Sequence, residues 1–288
     1  MGRIKIITSF MLLMIVGILS LQTQAFAGGG WPQEKGSGFF KLGQYMIYSG
    51  YYSTPAGDIV DITSTGFYST SIYGEYGITD RFTVISYIPF FVRSTLNRVI
   101  DREGNLIQDG DYLNSFGDTD ISFKYGIITG KPVVLAASFT LGIPLGESSG
   151  GRTGLLQAGD GEFNQMITLE ASASSNSGKL YGTLLAGFNN RTNNFSEEIR
   201  YGIEVGYHLK KFWFINKVVG IKSLFNGDDK QIVNNGIFNN NMEYLSITPE
   251  ISFEFGDNMG INVSTGFALY ARKVLASPSF SLGAYFKL

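Results

Sequence analysis

Apolar and polar residues alternate along much of this chain with a period of two. From 119 to 127, Ile121, Phe123, Tyr125 and Ile127 alternate with Asp120, Ser122, Lys124 and Gly126. From 197 to 209, Ile199, Tyr201, Ile203, Val205, Tyr207 and Leu209 alternate with Glu198, Arg200, Gly202, Glu204, Gly206 and His208. The same division recurs over 243–255 and 259–270. Successive side chains of a strand point to opposite faces, so each stretch reads as a strand with one apolar and one polar face. The pattern predicts twelve strands, near 38–48, 62–77, 82–93, 118–129, 132–143, 162–174, 179–189, 197–209, 211–223, 243–255, 259–270 and 277–288. Two of them leave their facing open. One parity of 211–223 turns Lys217 outward and the other turns Asn216 outward, and the first strand has the same conflict at Gln44.

A soluble sandwich also alternates, so the connections must separate the two architectures. They run long (50–61), tight (79–81), long (94–117), tight (130–131), long (144–161), short (174–178), intermediate (190–196), tight (210), long (224–242), tight (256–258) and short (271–276). Long loops on one side and short turns on the other are the habit of outer-membrane barrels. The fold class expected is all-β: a transmembrane antiparallel up-and-down β-barrel of about twelve strands, with both termini periplasmic because the count is even.

Composition supports this. Charged residues are 16% of the chain, against about 25% in soluble domains, and the mean hydropathy is +0.07. Glycine (37), tyrosine (16) and phenylalanine (23) are abundant while proline (7) is scarce, which favours strands joined by turns. No apolar run after residue 27 approaches the ~20 residues of a spanning helix, which excludes a helical membrane protein. A net charge of −2 with no basic stripe gives no sign of nucleic-acid binding.

The N-terminus reads as an export signal. The basic Met1–Lys5 precedes an apolar run over 6–21 and then Ala25-Phe26-Ala27, small residues at the minus-three and minus-one positions. The expected division is a signal peptide over 1–27, cleaved after Ala27, and an outer-membrane barrel over 28–288. An exported chain with no cysteine must be stabilised without disulfides, and closing a sheet on itself is one way. At the other end, Phe280, Leu282, Ala284, Phe286 and Leu288 share one face of a final strand. A terminal strand of this kind resembles the signal read by barrel-assembly machinery, although a terminal aromatic would match better than Leu288.

Two motifs carry a family resemblance: Tyr76-Gly77-Ile78-Thr79-Asp80-Arg81-Phe82 and, further on, Gly117-Asp118-Thr119-Asp120-Ile121-Ser122-Phe123-Lys124-Tyr125-Gly126. Together they resemble the outer-membrane β-barrel family associated with the meta-cleavage pathway of phenol degradation. The strand–turn pattern around Leu141-Gly142-Ile143-Pro144 is compatible with it. The resemblance implies a transporter of small molecules, aromatic or otherwise apolar.

The polar face of the strands would line the lumen. Asp118, Asp120, Glu162, Glu170, Glu198, Glu204, Glu250 and Glu254 are expected there, with Lys124, Arg200 and Lys287 as counter-charges. Acids in excess suggest a weakly cation-preferring lumen, because low-dielectric walls focus the field of lining charges. The competing expectation is an ion-paired network that fills a narrow barrel. His208, the only histidine, lies at a strand end and reads as a rim residue, so no catalysis is expected. Asp109, Asp111, Asp228 and Asp229 lie in long loops without the spacing of a calcium site and read as solvated acids, and no cofactor or metal is expected. Ser148-Ser149-Gly150-Gly151 suggests a mobile loop, and Asn239-Asn240-Asn241 a solvated segment beside an apolar anchor at Ile237-Phe238. Either loop is a candidate constriction. The partners expected are outer-membrane lipid and lipopolysaccharide, the assembly machinery and a small-molecule solute. The leading function is an outer-membrane channel with a polar, acid-rich lumen. The alternative is a plugged barrel that binds or adheres through its long loops.

Overall fold

The computed structural model describes residues 29–228 and 236–288; the expected signal peptide lies outside the described residues. Twelve antiparallel strands form the wall: β1 (Gly38–Ser53), β2 (Ile59–Thr79), β3 (Phe82–Leu96), β4 (Thr119–Ile128), β5 (Val133–Ile143), β6 (Asn164–Ser174), β7 (Leu180–Arg191), β8 (Glu198–Leu209), β9 (Phe212–Ser223), β10 (Glu243–Glu254), β11 (Met259–Arg272) and β12 (Ser279–Lys287). Each pairs with its neighbours in sequence, and β12 pairs with β1 from Phe39↔Lys287 to Ile47↔Ser279. That last pairing closes the barrel.

The alternation decides which way each side chain points. On β8, Ile199 and Ile203 are 43% and 51% exposed on the outer surface, whereas Glu198 is 1% exposed inside. The two open cases resolve the same way. Lys217 turns inward between Glu204 and Glu250, leaving the shorter, uncharged Asn216 on the exposed face. Gln44 faces outward beside Leu42 and Met46, its amide satisfied by the Thr70 hydroxyl (2.7 Å) and the Tyr45 carbonyl (3.1 Å). The first choice keeps the Lys217 ammonium off the apolar outer face and the second does the same for Lys41, which lines the interior. Near the short-turn end, stacked outer pairs such as Phe40–Phe286 and Phe82–Phe123 supply the aromatic girdle of an outer-membrane-type barrel.

The connections alternate as the sequence suggests, with one correction. β1 and β2 extend further than the pattern showed, so the first long-side connection shrinks from 50–61 to 54–58. Alternation fades there, with Ile59, Val60 and Asp61 exposed in succession. The long 97–118 connection carries a small hairpin (Val99–Ile100 with Leu106–Gln108) and a strand, Asp111–Ser115, that continues β4 alongside β3.

The long loops do not all stand in solvent. Leu156 and Ala158 from the 144–163 connection pack inside against Phe67, Val92 and Leu113, and Ile237 and Phe238 join them from another loop. The expected solvated asparagine segment is therefore corrected. Asn239 and Asn241 are buried and hydrogen-bonded, because the apolar pair ahead of them anchors in the lumen. Asp111 likewise is not a free loop acid: Thr153 donates to it from both its hydroxyl and its backbone, and Arg152 through its backbone N–H.

Candidate functional site: the barrel interior

Inward-facing residues of β1, β2, β3 and β7–β12 enclose a lower cavity of about 430 Å³. Its walls are aromatic: Phe39, Tyr45, Tyr73, Tyr181, Trp213 and Tyr285. Four rings form a chain, Trp31 edge-on to Tyr181 at 5.9 Å, Tyr181 beside Trp213 at 5.6 Å, and Trp213 stacked on His208 at 4.5 Å. Charge enters this cavity through Lys41, Glu204, Lys217 and Glu250. Lys217 Nζ lies 3.3 Å from Glu250 and 3.6 Å from Glu204, whose other oxygen accepts from the Tyr181 hydroxyl at 2.6 Å.

Above it, Tyr45 and Tyr87 line both this cavity and a second one of about 470 Å³. The upper cavity is apolar over most of its wall, with Ile47, Phe67, Val92, Ile237, Phe238 and Leu275. Among the described residues that line it, Asp118 is the one that is charged.

A buried ionic cluster stands beside the upper cavity. Arg191 binds Glu162 through Nε, Glu198 through Nη1 (2.7 Å) and Asp160 through Nη2 (3.2 Å), and Arg200 holds the second oxygen of Glu198 at 3.0 Å. In the connections above the wall, burial pushes the Glu162 carboxyl up to about 8, outweighing the neighbouring guanidinium. Burial, followed by the nearby Asp160, pushes Asp118 up to about 7. Asp118 accepts backbone hydrogen bonds from Gly146 (2.9 Å) and Asp160 (2.7 Å), so it clamps the inward-folded loop.

At the short-turn end, residues 29–37 cross the lumen as a strap. The Lys124 ammonium donates to the Gly29 carbonyl, Gly30 N–H donates to Ser172 Oγ, and Gln33 donates to Thr83 Oγ1 and Glu75 Oε2. Gly77 lets the strap lie against β2: a Cβ there would meet the Glu34 carbonyl oxygen at 2.0 Å.

The sequence-derived residues distribute over these features. Lys124 and Glu170 pair at 3.0 Å beneath the strap. Glu254 binds His208 (3.2 Å) and Lys287 (3.0 Å) near the short-turn rim. Glu204 and Glu250 share Lys217; Glu162, Glu198 and Arg200 belong to the Arg191 cluster; Asp118 clamps its loop; and Asp120 shares the interior face of Lys124. The polar, acid-rich lumen expected from alternation describes only part of the interior, which also has the ion pairs of the competing expectation. Most of its acids are ion-paired, and loops the alternation could not place make the upper half apolar. Sequence reasoning missed Arg191, Glu75 and the strap. Glu75 was legible as the polar partner of Tyr76 on β2. Arg191 was not, because it follows the last alternating residue of β7.

No family model matches the chain and no curated protein matches it. Solved structures do. An outer-membrane channel of the COG4313 group from Pseudomonas putida F1 aligns over 92% of this chain and 99% of its own, at 13% identity and a TM-score of 0.54. The NanC porin aligns over 87% and 100% at 10% identity and a TM-score of 0.50. The translocator domain of the autotransporter NalP from Neisseria meningitidis aligns over 88% and 89% at 12% identity, also with a TM-score of 0.50. At these identities the likeness is one of fold: an outer-membrane barrel.

Proposed function

We propose that this chain is an outer-membrane channel for small, largely uncharged molecules, aromatic compounds among them. The observation that carries the reading is the pair of adjacent interior cavities that share Tyr45 and Tyr87 in their walls, aromatic below and apolar above. Aromatic and aliphatic walls bind apolar solutes by excluding water, while a few fixed polar groups orient them. In the lower cavity Lys217 is matched by Glu204 and Glu250, which keeps the path from acting as a strong ion trap.

On this reading the short turns and both ends of the mature chain face the periplasm, the long loops face outward, and residues 1–27 serve export. The motif resemblance to the phenol-degradation barrels supports the same class of cargo, and the fold shared with outer-membrane channels supports passage through the barrel. A second reading, a plugged barrel that binds ligands at its surface, draws on the strap and the two inward loops. Planar-bilayer conductance of the refolded chain, with uptake of a small phenol by cells carrying it, separates the two. Steady conductance and saturable uptake support the channel. Silence from a correctly folded barrel supports the plug.

A further inference from the structure

One row across the wall of the lower cavity is built from small side chains. Gly43 on β1 pairs with Ser71 on β2 and with Gly283 on β12, Gly283 pairs with Asn262 on β11, and Asn262 pairs with Ser252 on β10. Gly43, Ser71, Asn262 and Ser252 all line the cavity. The paired glycines leave space on the inner face, and Lys41 leans into it. A Cβ on Gly283 would meet Lys41 Cε and Asn262 Oδ1, each at 2.5 Å. The end of the lysine stem and the asparagine amide thus converge over one glycine.

Both groups are open. Asn262 is only 3% exposed, yet its Oδ1 is buried without a hydrogen-bond partner. Among the described residues Lys41 makes neither an ion pair nor a hydrogen bond, while Glu204 and Glu250, the acids of the cavity, are engaged by Lys217. The nearby phenols are also taken. Tyr73 donates to Glu75, Tyr181 donates to Glu204 at 2.6 Å, and Tyr285 shares a hydrogen bond of 3.0 Å with Ser252. A buried polar group without a partner is costly, so an open donor beside an open acceptor points to a ligand that answers both.

An ammonium only donates and an amide oxygen only accepts, whereas a hydroxyl does both with one oxygen. A carboxylate would answer Lys41 alone, face the Asn262 oxygen as a second acceptor, and upset the two ammoniums and two carboxylates of the cavity. A bare hydrocarbon answers neither. Beside the pair the walls are flat: Lys41 stands in register between Tyr73 and Tyr285, and Phe39 stacks on Tyr285 at 5.2 Å. Building on the channel reading, we infer that Lys41 and Asn262 form a hydroxyl-binding site that takes a monocyclic aromatic compound carrying one hydroxyl. The ligand oxygen accepts from Lys41 Nζ, its O–H donates to Asn262 Oδ1, and its ring lies against the aromatic wall. Such a site ranks cargo, holding a hydroxylated ring over a bare one of the same shape.

The test compares radiolabelled benzyl alcohol with ethylbenzene, which carries a methyl in place of the hydroxyl. Binding to the refolded chain in detergent micelles would be measured by equilibrium dialysis, with protein-free micelles subtracted and folding checked by heat-modifiable migration. Single-channel conductance would be recorded on the same preparation. The parent should hold benzyl alcohol about ten-fold or more tighter than ethylbenzene, because a site built for a hydroxyl rejects the analogue that lacks it. Lys41→Met and Asn262→Leu should each reduce benzyl alcohol to the level of ethylbenzene, and leave ethylbenzene within about two-fold. One folded variant is enough for the comparison. Equal binding of the two compounds by the parent overturns the site and, with conductance intact, leaves the channel standing. Variants that lose both compounds alike also overturn it, because the side chains then only shape the chamber. Benzoate held more tightly than benzyl alcohol, and lost in Lys41→Met, would assign an anion site in its place. If the parent neither conducts nor binds either compound, the channel reading itself falls, and the site with it.

Discussion

Asn239 Nδ2 donates to the carbonyl of Lys273 at 2.9 Å, and the same amide lies 3.2 Å from the Tyr52 hydroxyl. One inward-folded loop is thereby fastened to the turn that joins β11 to β12. Ile237 and Phe238, which that loop carries, fill part of the upper cavity against Phe67. Replacing Asn239 by Ala removes a buried donor worth about 1 kcal/mol. The barrel should remain folded, while single-channel records show longer or larger openings as the loop leaves the lumen. Records indistinguishable from the parent would mean that the loop is held by its apolar contacts alone.

Arg191 bridges Asp160, Glu162 and Glu198 from a nearly fully buried position. Arg191→Met keeps the bulk but leaves Asp160 and Glu162 without their cation and Glu198 with Arg200 alone, a loss of about 3–5 kcal/mol for broken buried pairs. Urea titration in detergent micelles should give a clearly lower midpoint. A midpoint equal to that of the parent would show that water reaches the cluster.

Asp118 and Glu162 give stability a pH dependence of unusual sign. Burial lifts their folded pKa values to about 7 and about 8, above those of the unfolded chain. Between the unfolded and folded values the native state binds more protons, so stability falls as pH rises. The urea midpoint should therefore be higher at pH 5 than at pH 8, and Glu162→Gln should flatten the difference. A midpoint that rises towards pH 8 would contradict the assignment.

Lys217 stands between Glu204 and Glu250 in the lower cavity. Lys217→Met deletes the cation and leaves both acids in a confined, low-dielectric space. Reversal potentials in a salt gradient should then shift several-fold towards cation preference. Glu204→Gln/Glu250→Gln in the same background should abolish the shift. Selectivity unaffected by Lys217→Met would remove the lower cavity from the ion path.

The strap depends on close approach at Gly77, where a Cβ would collide with the Glu34 and Gln33 carbonyl oxygens. Gly77→Ala should displace residues 29–37 from the short-turn mouth and raise conductance about two-fold or more without unfolding the wall. Equal conductance would show that the strap leaves the pore unobstructed. Liposome-swelling rates with a small sugar provide the check.

Much of the wall was legible because each of its strands records its surroundings residue by residue. On β8, Ile199 to Leu209 must meet an apolar exterior and Glu198 to His208 the interior, so burial is written at period two. Facing became illegible where one polar residue fell on each parity. Asn216 against Lys217 was settled only when Glu204 and Glu250, from two other strands, came within reach of the ammonium.

The sequence by itself determined a closed antiparallel barrel and its approximate strand count. Those follow from local alternation and turn length, which need no knowledge of distant residues. The tertiary structure decided what fills the barrel. Leu156, Ile237 and the strap carry no period, and their burial depends on partners such as Phe67, Tyr52 and Thr83 far along the chain. The end of the β11–β12 pairing at Gly266↔Ser279 is likewise a choice of partner. The residues after Lys273 pair with β1 rather than β11, and the alternation of a single strand records which face is buried, not which neighbour it binds.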